Sequence, residues 1–183
     1  AGQQRRGQHQ ALTAGERHIL ILQAAECGLQ ATRKEVFLPM PYPEYLVAPM
    51  RQELTTVGAV ECRTPADVDA TLKTPGVTMM VVNSVCGCAA GKARPGIAMA
   101  LQHANRPDTL ATVFAGADVE ATNRAREYFT GFAPSSPSIA LLRDGKLLYM
   151  VERRDIESRS AEAIADLLTM AFDKFCAKEG ANA

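Results

Sequence analysis

The run Val77-Thr78-Met79-Met80-Val81-Val82 is apolar and partly β-branched, and Asn83-Ser84-Val85-Cys86-Gly87-Cys88 follows it without a break. So short a run is a poor helix but suits a strand buried on both faces, which must lie inside a sheet with a neighbour on each edge. The segment Ala89 to His103 has helical composition, so the two cysteines fall where a strand ends and a helix begins. Pro95-Gly96 interrupts that helix, and a kink is expected there because proline removes a backbone donor.

Upstream, Leu46, Met50, Leu54 and Val57 fall at helical spacing between Pro43 and Gly58, and Val60-Glu61-Cys62 is a short strand candidate. Thr64-Pro65-Ala66-Asp67 combines an N-cap, a proline at the first helical position and an acid two residues later, so a helix should run from there to about Leu72. Downstream, Thr109 to Ala115 is a second buried strand. Asp118 to Phe129 is a helix with Val119, Ala125 and Tyr128 or Phe129 inward. Ser138 to Arg143 and Lys146 to Val151 flank Asp144-Gly145, a strong signal for a two-residue hairpin. Ile164, Leu167, Leu168, Ala171, Phe172 and Phe175 mark a last amphipathic helix.

Alternation of strand and helix predicts parallel strands joined by crossover helices, and the hairpin adds antiparallel strands to the same sheet. The expected fold is α/β: three layers, a mixed central sheet with helices on both faces, in the element order of a thioredoxin-like domain. Pro137 stands directly before the fourth strand, where that fold carries a cis-proline facing the cysteines.

The chain has 183 residues, 20 Lys or Arg against 20 Asp or Glu, and 47% apolar residues. Zero net charge gives no support for a nucleic-acid partner, and no apolar run approaches the roughly 20 residues that span a bilayer. Five cysteines, an odd number with only Cys86 and Cys88 close together, do not read as a disulfide-stapled secreted scaffold. A cytoplasmic, reducing setting fits. Arg5-Arg6 precedes a run, Ile19 to Leu22, too short for a signal peptide. Composition shifts near residue 40. Residues 1–39 are therefore taken as an N-terminal extension, disordered or a marginal helix in which Cys27 has no role, and residues 40–183 as the domain.

Cysteines one residue apart close a disulfide only through a small ring, and Gly87 tolerates the backbone angles of such a closure best. Strain in that ring should make the bond easy to reduce. The helix amino end favours a thiolate, and Lys92 and Arg94 add positive charge nearby. A metal half-site is the alternative. Zinc would need about four ligands, and beyond the pair there are only Cys62, Cys176 and the histidines at 9, 18 and 103, with no second ligand-spaced pair. Cys62 and Cys176 suit small core residues, and His103 a helix-end surface residue.

The stretch Val82-Asn83-Ser84-Val85-Cys86-Gly87-Cys88-Ala89-Ala90-Gly91, with Ala93-Arg94-Pro95, Arg106-Pro107-Asp108, Thr112-Val113-Phe114-Ala115-Gly116, Ala125-Arg126-Glu127-Tyr128-Phe129 and Pro134-Ser135-Ser136-Pro137-Ser138, resembles the bacilliredoxin family over about residues 40 to 178. The resemblance implies a thiol-disulfide oxidoreductase that removes bacillithiol, or a similar small thiol acting as co-substrate, from S-thiolated client proteins, with no bound cofactor and no metal. It implies attack by Cys86 and resolution by Cys88, with Asn83, Ser84 and Pro137 shaping the surface beside them; Gly87, Lys92 and Arg94, read above from ring closure and charge, complete the expected supporting residues. General disulfide isomerase or reductase activity, and a non-catalytic thiol-based metal-binding module, are the alternatives.

Overall fold

The computed structural model of this chain describes residues 41–177. The expectations for residues 1–39, Cys27 included, lie outside them. In chain order the elements are α1 (Glu44–Thr55), β1 (Val60–Glu61), α2 (Pro65–Leu72), β2 (Val77–Asn83), a π-helical stretch (Ala89–Ala93) leading into α3 (Arg94–Ala100), β3 (Thr109–Phe114), α4 (Val119–Glu127), β4 (Ser138–Arg143), β5 (Lys146–Val151), α5 (Arg153–Glu157) and α6 (Ala161–Phe175).

The five strands form one sheet in the order β1-β3-β2-β4-β5. β1, β3 and β2 run parallel, β4 runs antiparallel to β2, and β5 antiparallel to β4. With helices on both faces, this is the thioredoxin-like arrangement. β2 is the middle strand, and all seven of its residues are buried. Alternation along it divides the core. Met79 and Val81 join Leu54, Ile97, Ile139, Leu141, Ile164, Leu168 and Phe172 beneath α1, α3 and α6. Met80 and Val82 join Cys62, Val68, Leu72, Val113, Ala121, Ala125 and Phe129 beneath α2 and α4.

Two local signals act as their chemistry requires. Thr64 accepts from the Asp67 backbone N–H at 3.2 Å while the Asp67 carboxylate accepts from the Thr64 N–H at 2.9 Å, a reciprocal cap that starts α2. Asp144 (φ 52°) and Gly145 (φ 72°) both take the left-handed conformation that a two-residue turn of this hairpin demands.

Three expectations are corrected. α1 turns Val47, Arg51 and Leu54 inward, leaving Leu46 exposed and Met50 half-buried. The face rotates because Arg51 is drawn in by the Asp118 carboxylate, at 2.7 and 2.8 Å. On α4 the inward residues are Ala121, Thr122 and Ala125, and Val119 is exposed. The interruption at Pro95 takes another form: the helix widens before the proline, with the Arg94 N–H donating to the Ala89 carbonyl five residues back, and α3 then starts with Pro95 in its first turn, where a missing donor costs nothing.

Candidate active site at the end of the central strand

Cys86 lies beyond the carboxyl end of β2, and its carbonyl accepts from the N–H groups of Ala89 and Ala90 at 3.0 and 3.2 Å. It thus stands at the cap of the helix, with Gly87 and Cys88 in the first turn. The two sulfurs are bonded to each other, with Cα atoms 5.5 Å apart. Cys86 and Cys88 are both half-buried and Gly87 is exposed; of the two, Cys88 packs against the core beneath α3 and α6.

Ser84 supplies the nearest polar side chain: its Oγ lies 3.1 Å from the Cys86 Sγ. Behind it is a buried polar cluster. The Asn83 Oδ1 accepts from the Ser84 N–H at 2.8 Å and from the Arg94 guanidinium at 3.1 Å, and Asn83 donates its Nδ2 to the Met50 carbonyl at 3.2 Å. The same Arg94 nitrogen donates to the Ser84 carbonyl at 3.2 Å, and Arg94 Nε pairs with Glu53 at 2.7 Å. Buried polar groups must be satisfied, and each of these bonds also fixes the backbone from which Ser84 and Cys86 project.

Strand register places Pro137 beside them. Val82 pairs with Ser138 on β4, so Pro137 lies one step further, opposite Asn83, and the Ser136–Pro137 bond is cis. Asn83, Ser84, Arg94 and Pro137 are thus gathered around Cys86. Lys92, for its part, donates its ammonium to the Glu157 carbonyl at 2.6 Å. Gly87 has an ordinary negative φ, and a Cβ there would meet nothing within 4 Å. Neither backbone angle nor crowding in this structure requires glycine at that position.

One positioning element has no sequence signal of useful length. α5 is five residues long with Ile156 as its buried anchor. Its last carbonyl, on Glu157, receives Lys92 from the cysteine-bearing helix, and its first residue, Arg153, donates to the Ser136 carbonyl at 3.2 Å. α5 so ties that helix to the proline loop across the site. Among the described residues, no group of three or more His, Cys, Asp or Glu side chains gathers to hold a metal ion.

The family model described as disulphide isomerase matches residues 42–176. A bacilliredoxin of Koribacter versatilis is 58% identical over 136 residues, covering 74% of this chain and 94% of that protein. Another from Cytophaga hutchinsonii is 55% identical over 73% of this chain and 98% of its own length. The chain belongs to the bacilliredoxin family. A third bacilliredoxin, from Geobacillus kaustophilus, is 53% identical over 74% of this chain and 94% of that protein. Among solved structures, the oxidised mitochondrial thioredoxin 3 of Saccharomyces cerevisiae is similar, with a TM-score of 0.47 and 14% identity over 67% of this chain and 99% of that one. The matched region runs from just before α1 to just past α6, so the bacilliredoxin domain contains every element described above, Cys86 and Cys88 included. Membership makes it one of a family of thiol-disulfide oxidoreductases. Among the described residues no helix is long and apolar enough to cross a membrane.

Proposed function

We propose that this chain removes a low-molecular-weight thiol, bacillithiol or one like it, from mixed disulfides on client proteins of a reducing cytoplasm. The observation that carries the proposal is the placement of the pair: a half-buried Cys86 at the helix cap, joined to a Cys88 that packs against the core. In the reduced protein the Cys86 thiolate attacks the small thiol's sulfur. The client leaves as its own thiolate, which takes up a proton, and the new disulfide joins Cys86 to the small thiol. The Cys88 thiolate then attacks the Cys86 sulfur, the small thiol leaves, and Cys86–Cys88 closes. Each exchange breaks one disulfide and forms one; the two electrons that reopen the pair come from a thiol reductant. The Ser84 hydroxyl and the positive end of the helix stabilise the attacking anion.

General disulfide isomerisation is the second reading, and the disulphide-isomerase description of the matching family model favours it. Turnover of a protein carrying one bacillithiol mixed disulfide, against the same protein glutathionylated and against a scrambled multi-disulfide protein, separates the two. De-thiolation predicts fastest release from the first. Faster recovery of the scrambled protein would install isomerisation instead.

A further inference from the structure

A cleft of about 410 Å³ opens between α1 and the cysteine-bearing helix, within the usual size range of small-molecule sites. Its walls include Gln52, Glu53 and Thr56 on one side and Ala90, Arg94 and Ala98 on the other. It begins one helical turn from the nucleophile, since the Ala90 N–H bonds to the Cys86 carbonyl at 3.2 Å. We infer that this cleft receives the charged tail of the small thiol while its sulfur is on Cys86, and that it selects a tail carrying both a carboxylate and an ammonium group. The inference rests on the de-thiolation reading above.

The charges in the cleft carry the argument. The Arg94 side chain is 3% exposed. Its Nε and one terminal nitrogen are taken by Glu53, Asn83 and Ser84, but the other terminal nitrogen has no hydrogen-bond partner among the described residues and is not among the fully buried unpartnered atoms. One nitrogen of a fixed guanidinium is thus free to donate a single charge-assisted hydrogen bond to a carboxylate oxygen. Glu53 uses one carboxylate oxygen on Arg94 and keeps the other free, on a side chain 48% exposed. A purely anionic tail would meet the Glu53 carboxylate, and a purely cationic one the guanidinium. A tail with both charges satisfies both residues, as in thiols built from an amino acid. Arg94 also bonds the Ser84 carbonyl, so the cleft's cation is fixed to the chain two residues before Cys86.

The test uses one reporter protein with one cysteine, blocked in turn as the mixed disulfide of bacillithiol, of glutathione and of uncharged 2-mercaptoethanol. Wild-type protein should show a lower KM for the two charged-tail substrates. Thr56→Trp, which fills the cleft from an exposed position, should raise their KM roughly tenfold or more, about what one charged hydrogen bond is worth, and leave the 2-mercaptoethanol substrate within twofold. Gln52→Trp, which fills the same cleft from another exposed position, should weaken the same two substrates and serves if the first tryptophan variant does not fold. Equal effects on all three substrates, or none on any, would overturn the cleft assignment while leaving de-thiolation standing. If the wild-type protein releases none of the three thiols, the de-thiolation reading falls and takes this one with it.

Discussion

The Ser84 hydroxyl, 3.1 Å from the Cys86 sulfur, becomes a donor to an anion once the disulfide opens. A hydrogen bond to the charged form favours that form, as does a place at the positive end of a helix. Ser84→Ala should therefore move the pH midpoint of Cys86 alkylation upward, by an amount worth about 1 kcal/mol, without changing the denaturation midpoint of the oxidised protein as much. The measurement is made with the other four cysteines replaced; an unmoved midpoint would leave the serine a packing role only. Cys88→Ser should trap the small thiol on Cys86, visible as a stable mass increase after reaction with a thiolated client. An adduct that forms only on Cys88 of a Cys86→Ser protein would reverse the two roles. Cys86 and Cys88 were legible because spacing and position coincide in one short segment. Arg94 was legible as a charge but not as a partner, since its contacts reach back to Asn83 and across to Glu53 on α1. The Lys92 bond to Glu157 depends on where α5 ends, which no local pattern announces.

Gly96 sets how closely α3 crosses α6. A Cβ there would lie 2.8 Å from the Ala161 carbonyl oxygen and 2.9 Å from the Ile164 Cγ2, both on α6, so Gly96→Ala must push the two helices apart. The expected cost is about 1 to 3 kcal/mol, the range for overpacking a close contact, and it should appear as a lower thermal midpoint. An unchanged midpoint would mean that the crossing gives way freely. The displacement should also reach Cys88, which packs on the same core at the head of this helix, so the rate of disulfide closure is the second reading. Elements defined by near neighbours were legible in the sequence: the Thr64 cap, the Asp144-Gly145 turn and the periodic α6 each depend on residues a few positions apart. The inward face of α1 was not, because Arg51 is buried by a carboxylate 67 positions away. Nor was α5, whose five residues are too few to show a helical period.

At the scale of the molecule the sheet separates two cores, and each holds one thiol: Cys62 in the layer beneath α2 and α4, Cys176 in the layer beneath α3 and α6. Both were expected as small core residues, and both are buried. Burial pushes the Cys62 thiol up, against the Thr71 hydrogen bond and with help from Asp67 and Asp118. Burial likewise pushes Cys176 up, to about 11, with the Asp108 charge adding to it and Arg143 opposing. The fold thus holds both of these thiols protonated, so native protein should lose neither Cys62 nor Cys176 to iodoacetamide at pH 8 until denaturant is added. Stability should follow the same groups. A thiol whose folded pKa is raised contributes fully below the unfolded value, 9.0 for Cys176, and loses that contribution as pH rises through about 11, because in that window the folded state keeps a proton the unfolded chain releases. In oxidised protein, where Cys86 and Cys88 do not titrate, the denaturation midpoint should fall between pH 9 and 11, with Cys176 supplying on the order of 1 to 2 kcal/mol of the decline. Cys176→Ala removes that share, so the gap between the two proteins, largest at pH 8, should narrow steadily to pH 11. A gap constant over that range would mean that Cys176 titrates alike in the folded and unfolded chain.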